Sequence, residues 1–171
     1  MTIYLPVSPT DLDYEDLVIA ALISLGYYFE ARLILRSGSE EVLEFDAIVT
    51  PTNNYQQRCI VEVKSGNWGN SDIFKLAGQV QYTGNESAWL VHLKPQDNEK
   101  NRATRQVCSV LPVTCIHLTR DQVLNRDAAP IFPRAMEQTQ REYSVVKAAW
   151  WSRMADRYAH KCFVHWSKSF G

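Results

Sequence analysis

The amino-acid sequence predicts an α/β protein in which helices flank a mixed central β-sheet, followed by a helical C-terminal extension. Apolar runs of strand type alternate with helical patterns in the order αβββαβαβ, which favours a mixed sheet with helices on both faces. Hydrophobic residues make up 46% of the 171-residue chain and charged residues 22%, as in a soluble globular protein. No apolar run approaches the roughly 20 residues of a membrane-spanning helix, so we expect no membrane association.

The first helix is predicted to begin at Ser8-Pro9-Thr10-Asp11 and to end at Gly26. Ser8 is the expected N-cap, and Pro9 suits the first helical position because it lacks an N–H. Glu15 borders the apolar stripe of this helix, so its carboxylate faces the sheet, which is unusual unless a positive group lies there. Glu15 therefore either belongs to a metal site, as a ligand or beside the ligands, or serves the helix dipole.

Five runs rich in β-branched and apolar residues predict strands, and two further patterns predict helices between them. The strands are expected at Tyr27–Leu35, Val42–Thr50, Arg58–Lys64, Ser87–Leu93 and Val113–Leu118. The helices are expected at Ser71–Tyr82 and Asn98–Leu111. With the first helix, these elements form one predicted domain over residues 1–126, which closes with a short helix that ends at Arg126.

Residues 127–171 are predicted to form a helical extension of this domain. A rigid connector over residues 128–133 leads to an aromatic-rich helical stretch from Met136 to Trp166. Residues 134–171 hold seven Lys and Arg against three acidic residues, whereas the rest of the chain holds eleven against sixteen. We therefore expect any affinity for nucleic acid to be concentrated in this extension. Its length favours a homodimer or a partner subunit that covers its apolar side.

The most informative motif combines Glu62-Val63-Lys64 with Asp46, which lies sixteen residues before Glu62. Successive side chains of a strand point to opposite faces, so Glu62 and Lys64 share one face while Val63 turns to the other. Asp46 lies on the preceding predicted strand. If the two strands pair, two carboxylates converge on one point beside an amine.

Two carboxylates and a lysine suit the metal-dependent hydrolysis of a phosphodiester. Mg²⁺ takes oxygen ligands, keeps several waters and is usually held by one or two carboxylates plus substrate phosphate. We expect Asp46, Glu62 and the backbone carbonyl of Val63 to bind Mg²⁺, for which Mn²⁺ can substitute. The metal would lower the pKa of a bound water and neutralise charge on the phosphate. Lys64 would orient or deprotonate that water, or stabilise the developing charge.

These residues resemble the motif of the PD-(D/E)xK nuclease superfamily, whose members share the restriction-endonuclease-like fold. Asp46 matches the first acid of the motif, with Phe45 in place of its proline, and Glu62 and Lys64 match the second half. The resemblance covers roughly residues 12–118. It implies a Mg²⁺-dependent endonuclease that cuts DNA, in an antiviral defence system or a mobile element.

Two further segments fit particular branches of that superfamily. Tyr14-Glu15 resembles the aromatic–Glu pair on the first helix of Mrr-like and CRISPR-ancillary nucleases, and this adds Glu15 to the expected metal site. Gln79-Val80-Gln81-Tyr82 lies where these families often place a glutamine, although the spacing departs from the RecB-type pattern. Gln79 and Gln81 are two residues apart on a helix, so at most one of them faces the site. Glu44 shares the predicted strand face of Asp46 and either approaches the metal waters or faces solvent.

Two other functions remain open on the residues alone. The chain could be a catalytically idle nuclease-fold module for binding or assembly, in which Asp46, Glu62 and Lys64 form a surface ion-pair cluster. It could instead be a nuclease directed at RNA, which needs the same metal chemistry. Four cysteines without a C-x-x-C spacing fit a reduced, cytoplasmic protein better than a zinc-binding one.

Overall fold

The computed structural model describes residues 9–51, 54, 56–93, 103–104, 106–119 and 152. The helices are α1 (Asp11–Ser24) and α2 (Asn70–Thr83). The strands are β1 (Tyr27–Ser37), β2 (Glu40–Pro51), β3 (Cys59–Lys64), β4 (Ser87–His92) and β5 (Val113–His117). Residues 103–104 and 106–108 are also helical. In this part of the chain, no helix is long and apolar enough to cross a membrane.

The five strands form one mixed sheet in sequence order. β1, β2 and β3 are antiparallel, whereas β4 runs parallel to β3 and β5 runs parallel to β4. α1 packs on one face over a buried cluster that includes Val61 and Val63, and α2 packs on the other face over Ile60 and Leu90. The predicted α/β class, with a mixed sheet between helices, is confirmed.

Two predicted boundaries differ from the structure. α1 has Thr10 and not Ser8 as its N-cap, because Thr10 and Asp13 form a capping box in which each side chain accepts a hydrogen bond from the other's backbone N–H. The turn between β1 and β2 is shorter than the predicted Arg36–Ser39. Gly38 adopts a φ of 62°, a left-handed conformation that allows both strands to continue into a two-residue turn.

Several predicted features lie outside the described residues. They are the first part of the helix expected from Asn98, the short helix ending at Arg126, the connector over residues 128–133, and the long helix from Met136 to Trp166. The domain boundary predicted between residues 126 and 127 also lies there. These features stay predictions.

β1 changes face in the middle of its length. Ala31 packs against the α1 side of the sheet, whereas Leu33 packs against the α2 side, although strict alternation would place both on one face. Arg32 lies between them with a φ of 53°, in the left-handed region that side chains other than glycine rarely adopt. The strand therefore turns over at Arg32.

β2 makes the same change at the residue opposite. Ala47 packs on the α1 side and Phe45 on the α2 side, with Asp46 between them. The β1–β2 ladder pairs Ala47 and Phe45 with their partners but omits the position where Asp46 would face Arg32. The ladder is thus interrupted at the same point in both strands, and both strands change face there, with Asp46 at the interruption.

Beyond this point the two strands form an arm, residues 33–45, that bends toward α2. In the part of the chain that the structure describes, β3 pairs with β2 only from Ala47 to Val49, so the last three residues of β3, 62–64, continue without a pairing partner on β2. Phe45 is buried in the α2 cluster, and the side chain of Gln79 on α2 donates a hydrogen bond to the Glu44 carbonyl at 3.3 Å. β2 therefore separates from β3 directly at Asp46.

We predict that Arg32→Gly is more stable than Arg32→Ala by about 1 kcal/mol in urea unfolding. Both variants lose the guanidinium, but a left-handed conformation costs a non-glycine residue about 1–2 kcal/mol. Ile34, which is exposed on the same strand, supplies the matched control, because glycine should be the less stable variant there. Equal stability of the two Arg32 variants would show that Arg32 has ordinary extended backbone.

Candidate metal centre

The separation of β2 from β3 opens a gap that Asp46 fills. The N–H of Val63 points into this gap and donates a hydrogen bond to Asp46 Oδ2 at 2.7 Å. A residue in an antiparallel ladder turns its N–H and its carbonyl to the same neighbour, so the Val63 carbonyl faces the same gap. Carboxylate and carbonyl oxygens therefore meet where the two strands part, as the expected ligand set requires.

Glu62 lies on the α2 face of β3 and is only 4% exposed. Its Oε1 is 2.8 Å from Lys64 Nζ and 3.2 Å from Lys75 Nζ, and Lys75 belongs to α2. Lys64 Nζ is also 3.8 Å from Asp72 Oδ1, in the first turn of α2. The shared face of Glu62 and Lys64 is therefore present, and α2 adds a second ammonium to the same carboxylate oxygen.

Glu15 approaches the gap from α1, on the other face of the sheet. Its side chain is 12% exposed, and its Oε2 lies 3.5 Å from Arg32 Nε. The same guanidinium lies 3.1 Å from the buried carboxylate of Asp16. Arg32 is thus the positive group expected next to the inward-facing carboxylate of Glu15. It lies at the residue where β1 adopts the left-handed conformation.

Two carboxyl groups at the gap, those of Asp46 and Glu15, have raised pKa values. Burial, and then the charge of Glu62, raise the pKa of Asp46 to about 6, even though the Val63 N–H and two lysines act in the opposite direction. Burial, and then the charge of Asp46, raise the pKa of Glu15 to about 7. The charge of Asp46 in the gap therefore reaches Glu15 on the α1 side of the sheet, and a cation at the gap would lower the pKa of both acids.

Lys64 stays protonated in this setting. Burial lowers its pKa, but the hydrogen bond to Glu62 and the charges of Glu62, Asp72 and Asp46 outweigh burial and raise the pKa overall. A lysine held in its charged form can donate hydrogen bonds and stabilise negative charge. It cannot accept a proton from water without first losing one of its own.

The three remaining predicted residues lie farther from the gap. The Glu44 side chain is exposed, and the alternation that relates it to Asp46 is interrupted at the strand rotation. Gln79 is buried and ties α2 to the arm, whereas Gln81 is exposed on a different side of α2. Among the described residues, Gln79 Oε1 has no hydrogen-bond partner. The structure thus brings Asp46, Glu62, Lys64 and Glu15 together, and leaves these three outside that group.

Sequence reasoning missed two cations, Lys75 and Arg32. Lys75 precedes Gln79 by four residues, so a prediction that Gln79 faces the sheet could also have placed Lys75 on that side of α2. Arg32 is flanked by Ala31 and Leu33 in the middle of β1, where a cation is unusual. With Lys75 and Arg32 included, the sequence would have predicted positive charges beside the carboxylates of the site.

Aromatic rings border the site where the parallel strands end. Lys64 pairs with His92, and His92 with His117, along one row of the sheet. The His92 ring lies between Trp68, at a centroid distance of 4.3 Å, and His117, at 5.0 Å. Trp68 belongs to the loop between β3 and α2. This stack forms the wall of the site beyond Lys64.

The donor set suits a hard cation with few protein ligands. In the described part of the chain, no group of three or more His, Cys, Asp or Glu side chains is arranged to hold a metal ion. Two carboxylates and one carbonyl, completed by waters, are nevertheless the kind of site that Mg²⁺ uses. No protein-family model matches the chain, and no curated protein shows significant similarity to it.

We predict that the protein in the absence of divalent metal loses stability as pH rises from about 4.5 to about 7. A carboxyl group with a higher pKa in the folded state binds more protons there, so the free energy of unfolding falls as pH rises from about 4.5 to about 7 for Glu15. At about 1.4 kcal/mol per pKa unit, the rise from 4.5 to about 7 sets a ceiling of about 3.5 kcal/mol on the contribution of Glu15. Solvent screening of this half-buried carboxyl reduces the expected loss to about 2 kcal/mol.

Urea unfolding in EDTA at several pH values tests this. Glu15→Gln should be flatter with pH than the wild type, whereas Glu86→Gln, at an exposed position, should keep the wild-type slope. Parallel curves for the wild type and Glu15→Gln would contradict the raised pKa of Glu15.

Proposed function

We propose that the chain is a metal-dependent nuclease of the restriction-endonuclease-like fold that hydrolyses phosphodiester bonds in DNA. The observation that carries the proposal is the convergence of the Asp46 and Glu62 carboxylates with Lys64 where β2 separates from β3. The sheet order and the position of α1 before the three antiparallel strands are consistent with the resemblance to the PD-(D/E)xK superfamily. Glu15 on α1 lies close enough to Asp46 for their charges to interact.

Asp46, Glu62 and the Val63 carbonyl would hold Mg²⁺, or Mn²⁺ in its place. Bound there, the ion would lower the pKa of a coordinated water and neutralise charge on the scissile phosphate. Asp46 suits this role because one oxygen is held by the Val63 N–H, which fixes the orientation of the other. The rigid strand β3 positions Glu62 in the same way, so the ligands need no rearrangement of the backbone.

Lys64 would act as a cation and hydrogen-bond donor. Its raised pKa favours orienting the water or stabilising charge on the phosphate over deprotonating the water. Lys64 and Lys75 both neutralise Glu62. A cation held by Glu62 would leave both ammonium groups available to the phosphates of the substrate.

Duplex DNA is the proposed substrate, with RNA as the alternative that the same residues would serve. One site cuts one strand, so cutting a duplex calls for two copies of the chain, or for a partner subunit. The extension beyond position 133 would assemble that complex or contact phosphate through its seven Lys and Arg, all of which lie outside the described residues. A role in defence or in a mobile element follows from the resemblance alone.

A second candidate is an idle nuclease-fold module that binds or assembles. The observation that favours it is the internal neutralisation of the site: two lysines contact Glu62, and the Val63 N–H satisfies Asp46. Such a cluster is stable without a cation. The two candidates therefore differ in whether a divalent ion displaces the lysines from Glu62.

We predict that the purified protein cleaves DNA with Mg²⁺ or Mn²⁺ and not in EDTA, and that Asp46→Asn and Glu62→Gln each abolish cleavage. Asparagine is preferred to alanine at position 46 because it can still accept the Val63 hydrogen bond, whose loss would cost about 1–3 kcal/mol. Lys64→Met should lower the rate by about 10²–10⁴-fold and still bind Mn²⁺. Glu40→Gln, an exposed change on the same strand as Asp46, is the matched control.

Supercoiled plasmid, linear duplex, single-stranded DNA and RNA should be assayed in parallel, with Mn²⁺ binding measured by calorimetry. Cleavage by Asp46→Asn at the wild-type rate would overturn the assignment of the ligands. Folded wild-type protein that binds no Mn²⁺ and cuts none of the four substrates would instead favour the idle module.

A further inference from the structure

Two thiols lie against each other on the α2 side of the sheet, where Cys115 stands two strands from Glu62 in the same row. Cys108 Sγ and Cys115 Sγ are 2.8 Å apart, and both cysteines are free and partly exposed. Cys108 ends the helical residues 106–108, and Cys115 lies in the middle of β5. The proposed function makes no use of either thiol.

A metal ion is a poor explanation of this pair. Zinc held by thiolates normally takes four protein ligands, and in the described residues no group of three or more His, Cys, Asp or Glu side chains could hold an ion. A disulfide needs only two sulfurs whose backbones already approach each other. Here the contact between sulfurs shows that the two backbones have approached, so bond formation needs little movement.

We propose that Cys108 and Cys115 form a reversible intramolecular disulfide, with a small-molecule disulfide such as oxidised glutathione as the oxidant. Cys108, as its thiolate, attacks one sulfur of the oxidant, forms a mixed disulfide and releases one thiol. Cys115 then loses its proton and attacks Cys108 Sγ, which expels the second thiol. The two cysteines are oxidised by two electrons, and the oxidant is reduced to two thiols.

The order of attack follows from the surroundings of the two sulfurs. Burial, and then the hydrogen bond with Cys108, raise the pKa of the Cys115 thiol, so Cys115 is a poor first nucleophile. Once Cys108 carries the mixed disulfide, the neighbouring sulfur of Cys115 is already in position to attack. Cys115 therefore acts as the resolving thiol of the pair.

The disulfide would fasten the helical residues to the sheet near the proposed active site. Four residues before Cys108, Thr104 is buried and donates a hydrogen bond to the side chain of Asn70, the first residue of α2. Asp72, two residues later, faces Lys64. Oxidation would thus hold the first turn of α2 in place through Thr104, whether or not the site binds a metal.

One tryptic peptide, residues 106–120, contains both cysteines, which makes the test direct. After incubation with excess oxidised glutathione, we expect this peptide to be lighter by two hydrogen atoms and protected from alkylation, and dithiothreitol should reverse both changes. The oxidised protein should melt about 5 °C higher, because a short loop is closed in the unfolded chain. Amide exchange in the first turn of α2 should slow.

Two variants make the result decisive. After the same incubation, Cys108→Ser should keep Cys115 as an unmodified thiol and show no rise in melting temperature. Cys162→Ser, at a thiol outside the described residues, should form the disulfide as the wild type does. Full alkylation of Cys108 and Cys115 in native protein after oxidation would overturn the proposal. A mixed disulfide that persists on Cys108 without resolution by Cys115 would overturn it as well.

Discussion

The break in the β1–β2 ladder at Arg32 and Asp46 is the constraint on which the site depends. Because both strands rotate there, β2 leaves β3 before Val63, and the Asp46 carboxylate takes the hydrogen bond that a backbone carbonyl would otherwise accept. The same rotation directs Arg32 toward the acids of α1 and turns the arm toward α2. A local departure from strand geometry therefore positions groups on both faces of the sheet.

The charges at the gap are unevenly compensated. Glu15 and Asp16 share Arg32, and Glu62 has two lysines. Asp46, in contrast, makes no ion pair within 4.0 Å among the described residues, and its compensation comes mainly from a neutral N–H. A divalent cation would therefore be attracted most strongly by Asp46, whose negative charge is the least compensated. The raised pKa values of Asp46 and Glu15 indicate that a cation would stabilise the ionised form of both carboxyl groups. Functional sites often retain such locally unfavourable arrangements.

Regular local patterns allowed much of the fold to be predicted. β3 and α2 follow simple periodicities, so the common face of Glu62 and Lys64 could be read from their spacing. The rotation at Arg32 could not, because the left-handed conformation is rare for arginine and no glycine or asparagine marks it. Glu44 is exposed, which is the second of the two outcomes expected for it. Lys75 was missed because its contact with Glu62 depends on how α2 packs on the sheet.

A crystal structure of the protein grown with Mn²⁺, with anomalous scattering used to locate the metal, tests the central claim most directly. We expect a manganese peak in the gap between β2 and β3, about 2.1–2.3 Å from oxygens of Asp46 and Glu62, with the Val63 carbonyl beside it. Lys64 and Lys75 should move away from Glu62. Well-ordered crystals that show no peak at saturating Mn²⁺, with both lysines still on Glu62, would contradict the account and leave the acids as a structural cluster.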